Sequence, residues 1–151
     1  MEGIEMGLQR PRFEEIYMKL AMTMALRSTC SRLQVGTVIT TTDYRKVLAV
    51  GYNGNASGLA NECDSNIPGK CGCLHSEENA VINCDSPRFV EKHVFVTHYP
   101  CVYCAKRLIN LGNVKAIFYS EEYRILDAKE LFQRVGISME KLVLQKALVE
   151  F

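Results

Sequence analysis

Two short stretches, His75-Ser76-Glu77 and Pro100-Cys101-Val102-Tyr103-Cys104, constrain the fold more than anything else in the chain. They read H-x-E and, 25 residues after His75, P-C-x-x-C. An imidazole and two thiolates suit one zinc ion, and three protein ligands leave a fourth position open for water. A metal brings the ionisation of such a water close to neutral pH. Glu77, two residues past the first ligand, is placed to carry protons instead of binding the ion. A chain that uses these groups together must bring two distant segments to one point.

The flanking pattern shows how. His75 opens a helix with Ala80, Val81 and Cys84 facing inward, and Pro87 ends it. Val94-Phe95-Val96 reads as a short buried strand. Pro100 precedes a helix from Cys101 to about Leu111, closed by Gly112. Cys101 and Cys104 then share one face of a first helical turn, whose positive end favours thiolate. Two helix N-termini converge on the metal.

Residues 1–12 read as an irregular leader. From about Phe13 to Ser28 an amphipathic helix is expected, with Phe13, Ile16, Tyr17, Leu20, Ala21 and Met24 as its apolar stripe. Val35 to Thr42 and Val47 to Tyr52 are strands around a hairpin loop at Asp43–Lys46. The Gly-, Asn- and Ser-rich stretch Gly51–Gly72 is a loop long enough to suggest a functional segment. Val114 to Tyr119 is a strand, and Ile125, Ala128, Leu131, Phe132 and Val135 mark a helix followed by Gly136. Leu142-Val143-Leu144 is read as a last edge strand. This alternation predicts an α/β fold with helices on both faces of a sheet, in one domain over residues 1–151.

A net charge of +1 gives no global pull toward nucleic acid or a membrane, so neither partner is expected. No run of 18 apolar residues occurs, no apolar signal segment stands at the N-terminus, and a cytoplasmic protein is expected. Seven cysteines in a reducing compartment read better as metal ligands than as disulfides.

Plainer readings compete. Cys101-x-x-Cys104 alone fits a redox pair, which gives no reason for H-x-E upstream. A closed structural site of His75, Cys101, Cys104 and a further cysteine leaves Glu77 without a task. Asn53-Gly54 is a strong turn former in any context. His93 and His98, flanking a strand, are read as structural or surface residues.

Thr29-Cys30-Ser31-Arg32-Leu33-Gln34-Val35-Gly36, Gly51-Tyr52-Asn53-Gly54, His75-Ser76-Glu77-Glu78-Asn79-Ala80 and Pro100-Cys101-Val102-Tyr103-Cys104-Ala105-Lys106 resemble the deoxycytidylate (dCMP) deaminase family, in its order. A competence-associated deaminase is its close relative. The resemblance implies a three-layer α/β/α, cytidine-deaminase-like fold around a five-stranded mixed sheet. It implies zinc-dependent hydrolysis of dCMP to dUMP and ammonia, supplying the precursor of dTMP. On that resemblance His75, Cys101 and Cys104 bind zinc and Glu77 is the proton shuttle. Asn53 is the expected contact to sugar and base, and the peptide at Ser76 touches the pyrimidine. The family usually has Ala at position 76, and Ser76 keeps that backbone contact.

Cys30, Cys63, Cys71 and Cys73 remain, three of them in or beside the loop that lacks apolar content. A second, structural zinc held by four thiolates would order it, as in some members of the resembled family; ordinary free cysteines are the alternative. For the substrate phosphate, Arg27, Arg32, Tyr123 and Arg124 are candidates, with Arg27 equally suited to a helix C-terminus. The resemblance also implies a homohexamer activated by dCTP with Mg²⁺ and inhibited by dTTP. In relatives the Gly51-Tyr52-Asn53-Gly54 loop is part of the regulatory region; here the segment after the His75 helix is short and interrupted by Pro87, which leaves retention of that site open. Alternatives are a deaminase for 5-substituted dCMP or a nucleic-acid base, and a zinc-stabilised interaction module without turnover.

Overall fold

The computed structural model describes residues 8–122 and 127–150. Residues 8–12 lie outside regular structure. Helix α1 (Phe13–Ala25) starts where the Glu15 carboxylate accepts the Arg12 backbone N–H at 2.9 Å. It ends three residues before Ser28, and its buried row is Met18, Ala21 and Ala25. Phe13 and Ile16 are 57% and 43% exposed, so the stripe sits further round the helix than the apolar spacing suggests. The two alanines decide this, because small side chains let a helix lie close on a sheet.

Strands β1 (Gly36–Thr41) and β2 (Val47–Tyr52) form the expected hairpin. Then come α2 (Ser76–Asn83), β3 (Lys92–His98), α3 (Val102–Leu111), β4 (Val114–Glu121), α4 (Ala128–Arg134), β5 (Ser138–Lys141) and the short α5 (Lys146–Val149). The sheet is five-stranded in the order β2-β1-β3-β4-β5. β1 runs antiparallel to both neighbours, whereas β3, β4 and β5 are parallel. Parallel neighbours need crossovers, and α3 and α4 provide them.

The last strand is not Leu142-Val143-Leu144. β5 lies four residues earlier, and Leu142 and Leu144 pack with Leu148 into the core beneath α1. Ile125, expected to begin the fourth helix, lies outside the described residues.

Both faces of the sheet are covered. Val94, Val96 and Ile117 pack with Ala80, Ala105, Leu108 and Phe132 on the side of α2, α3 and α4. Phe95 and Phe118, one residue out of phase, pack with Met18 and Ala21 of α1. The layers are therefore α/β/α. Gly51 lets α2 approach: a Cβ there would collide with the Ser76 carbonyl and stand 2.5 Å from the Ala80 nitrogen.

Register decides where loops emerge. Gly36 pairs with Tyr52 and Thr37 with Val96, so the start of β1 and the ends of β2 and β3 share one edge. The segment entering β1, the long loop after β2 and the Pro100 turn all meet there. At the opposite end of β3, Lys92 is fully buried. Its ammonium donates to the carbonyls of Val90 (2.7 Å), Gly112 (2.9 Å) and Pro87 (3.2 Å).

Candidate metal and substrate site

His75 is the N-cap of α2, and its N–H donates to the Glu78 carboxylate at 2.9 Å. Cys101 is the N-cap of α3, and its sulfur accepts the Cys104 N–H at 3.4 Å. Glu78 also pairs with Arg107 at 3.2 Å, which ties the start of α2 to the middle of α3. His75 presents Nδ1 to Cys101 Sγ at 3.6 Å and to Cys104 Sγ at 3.3 Å. Nitrogen and sulfur ligands on a tetrahedral zinc stand roughly 3.5 Å apart, from bond lengths of about 2.1 and 2.3 Å. The three groups thus fit zinc in both identity and spacing.

Their protons are coupled. The Cys101 thiol is pulled down to about 4, first by the Cys104 thiol and then by His75. His75 is raised to about 9, chiefly by its bond with Cys101. Cys104 is pushed upward by the Cys101 sulfur and by burial. Cys101 therefore reaches the thiolate form first, as a metal ligand must.

Glu77 is 4% exposed. Burial raises its pKa, which keeps a carboxyl group ready to take up a proton. Oε1 accepts from the Ser76 hydroxyl at 2.8 Å, and that hydroxyl lies 2.7 Å from Thr37 Oγ1. A cavity of about 600 Å³ opens over this group, lined by Arg32, Leu33, Val35, Asn53, Ser76, Glu77, His98, Tyr99 and the ligands His75 and Cys101.

Of the expected substrate contacts, Asn53, Ser76 and Arg32 line this cavity. The Asn53 amide also braces its wall, since Nδ2 donates to the Leu33 carbonyl at 2.6 Å and Oδ1 accepts the Val35 N–H at 2.9 Å. Arg27 is exposed after α1 and is not among the described lining residues. Tyr123 and Arg124 lie outside the described residues.

Cys30, Cys63, Cys71 and Cys73 also come together, all four sulfurs within 4.8 Å of one another. Cys63 Sγ is 3.8 Å from Cys30 Sγ and 3.7 Å from Cys73 Sγ. Thiolates on a tetrahedral zinc stand roughly 3.8 Å apart, so this set fits a second ion. Gly72 makes the tight Cys71-Gly72-Cys73 spacing workable: its φ is +78°, and a Cβ would strike the Asp64 carboxylate. Ser31, bonded to the Cys63 sulfur at 3.4 Å, pulls that thiol down to about 7. Cys30, Cys71 and Cys73 line the same cavity as His75 and Glu77.

Residues 11–121 match the profile described as the cytidine and deoxycytidylate deaminase zinc-binding region. The chain belongs to the cytidine and deoxycytidylate deaminase family. It is 33% identical to ComE operon protein 2 of Bacillus subtilis, over 95% of this chain and 78% of that protein. It is 31% identical to human deoxycytidylate deaminase, over 85% of this chain and 79% of that one. The structure of dCMP deaminase from the cyanophage S-TIM5 in complex with dCMP and dUMP superposes with a TM-score of 0.77. That match has 32% identity and covers 89% of this chain and all of that chain.

Three neighbours of the site carried no sequence signal. Thr37 sits in a run of strand formers, Gly36–Thr41, where only register shows which threonine faces α2. Tyr99 lies between β3 and α3, outside regular structure. His98, read as a bystander, forms part of the cavity wall, with Nδ1 2.8 Å from Thr97 Oγ1. His93 matches the structural reading, bonded to the Tyr44 hydroxyl at 2.8 Å.

Proposed function

We propose that this chain is a zinc-dependent dCMP deaminase, a hydrolase that converts dCMP to dUMP and ammonia. The observation that carries the reading is a buried carboxyl group, Glu77, beside a His75–Cys101–Cys104 set at the base of a nucleotide-sized cavity. Deaminase relatives over most of the chain, and a similar structure solved with dCMP and dUMP, support the choice of substrate.

His75, Cys101 and Cys104 would hold a zinc ion, which would supply a Lewis acid that brings the ionisation of a water close to neutral pH. Glu77 takes the proton that this water loses and delivers it to the pyrimidine ring nitrogen as oxygen bonds to the carbon bearing the amine. A second proton passes through the same carboxyl group to the departing amine, which leaves as ammonia. The Ser76 peptide and Asn53 face the base and sugar, and Arg32 is the cavity's cation for the phosphate. Arg27 and Tyr123 are the further candidates for the phosphate.

Cys30, Cys63, Cys71 and Cys73 hold a second, structural zinc in this reading. The product dUMP is the precursor of dTMP, and the reaction runs in the cytoplasm, or in the host's if the chain is viral. The reading takes a single domain that assembles as a homohexamer, with dCTP–Mg²⁺ and dTTP as effectors if the regulatory site is retained.

The test is ammonia release from dCMP, deoxycytidine, CMP and dCTP side by side, with and without dCTP and Mg²⁺. Turnover of dCMP in preference to the others is expected. Activity on deoxycytidine alone, or on none, would sink the assignment. Light scattering tests the hexamer separately.

A further inference from the structure

The Glu77 carboxylate is gripped by a neighbouring hydroxyl. Oε1 accepts the Ser76 hydroxyl at 2.8 Å. A carboxylate only accepts, so the Ser76 hydrogen is committed to Glu77. The bond between Thr37 Oγ1 and Ser76 Oγ, at 2.7 Å, must then run from Thr37 to Ser76. Thr37 and Ser76 are fully buried and Glu77 nearly so, so water does not compete for these bonds. Gly51 makes the contact possible by letting the first turn of α2 rest on the sheet within reach of β1.

Resting on the deaminase reading above, we propose that Ser76, anchored by Thr37, holds Oε1 of Glu77 and thereby fixes the orientation of the carboxyl group that carries the proton. The Ser76 bond survives both states of the shuttle. When Oε2 carries the proton, Oε1 is the carbonyl oxygen of the acid and still accepts. The carboxyl group keeps one orientation while protons enter and leave. Ser76 acts here as a positioning residue through its side chain, separately from any contact its peptide makes with the base. Thr37, which does not line the cavity, acts one step further back.

The experiment compares Ser76→Ala, Thr37→Val, Thr37→Ser and the double variant Ser76→Ala/Thr37→Val as zinc-loaded full chains. The readouts are kcat and KM for dCMP, zinc content, and affinity for two nucleotides. One is dUMP. The other is the 5′-monophosphate of a pyrimidin-2-one deoxynucleoside, which hydrates at the carbon that dCMP presents to water. For Ser76→Ala, kcat should fall on the order of tenfold, a fraction of the usual general acid–base contribution. KM, zinc content and dUMP affinity should stay within about twofold, while affinity for the hydrating analogue falls in step with kcat. Thr37→Val should lose less, Thr37→Ser should restore it, and the double variant should be no worse than Ser76→Ala.

Unchanged kcat in Ser76→Ala overturns the proposal. So does a Thr37→Val loss that adds in full to that of Ser76→Ala, or equal losses in Thr37→Val and Thr37→Ser. If Ser76→Ala does not fold, the two Thr37 variants decide the matter. A wild-type chain that deaminates some other cytosine nucleotide ends the dCMP reading alone, and the same comparison is then run on that substrate.

Discussion

Replacing Cys63 by serine tests what holds the long loop. No residue from Asn55 to His75 is buried, and Leu59 and Ile67 are more than half exposed. The segment therefore gains almost nothing from the hydrophobic effect, while ordering its backbone costs about 1–2 kcal/mol per residue. Its hydrogen bonds, such as Asp64 N–H to the Cys71 carbonyl at 2.7 Å, return about 1 kcal/mol each. A structural zinc contributes about 10–16 kcal/mol, the largest single favourable term available to the loop. Losing one of four thiolates should remove at least about 3 kcal/mol of that, enough to populate the open loop about 100-fold more. Lys70, exposed in mid-loop, supplies the reporter. We expect bound zinc to fall from two ions to one per chain in Cys63→Ser, and trypsin cleavage at Lys70 to accelerate about 100-fold. Two ions retained, or cleavage at Lys70 unchanged from the zinc-loaded parent, would refute the reasoning.

Glu77→Gln keeps the shape and an acceptor for Ser76 but cannot carry a proton, so turnover should fall by about 10²–10⁴ while the His75–Cys101–Cys104 zinc stays bound; normal turnover would remove Glu77 from the mechanism. In metal-free protein, the lowered thiol of Cys101 contributes stability that is lost as pH falls toward about 4. The raised imidazole of His75 contributes stability that is present below 6.5 and lost as pH rises through about 9. Glu77, raised by burial, works against the Cys101 gain above its ordinary value, so the test is a difference: the denaturant midpoint of the parent relative to Cys101→Ser should rise from about pH 4 to 6.5. A difference that does not change with pH would assign the titration elsewhere. Gly51→Ala forces α2 off the sheet and should cost about 1–3 kcal/mol. Because His75 and Glu77 ride on that helix, kcat should fall with Tm, and an unshifted Tm would contradict the close approach.

The first metal site was legible because its chemistry is local. Cys101 and Cys104 share one helical turn, and His75 starts another helix, so short-range patterns locate all three. The four thiols were legible as a set, but Cys30 joins from a different segment, and only the folded loop shows the four meeting. Thr37 was invisible because its role depends on register between strands. β5 was misplaced for a related reason. An edge strand is defined by backbone pairing, which the polar segment Ser138–Lys141 performs, whereas Leu142 and Leu144 are apolar because they fill space under α1. His98 lacked distant partners in sequence, and its partner in the structure is the preceding residue.

Lys92 gives the molecule a second kind of cation site. At the far end of β3 from His75, three carbonyls that could have enclosed an ion enclose the chain's own ammonium instead. That charge is attached by a covalent bond and arrives with the polypeptide. We therefore expect the β3–α3–β4 crossover to keep its fold without metal. A chelated sample should then recover the opposite pole by adding zinc alone, without passing through the unfolded state.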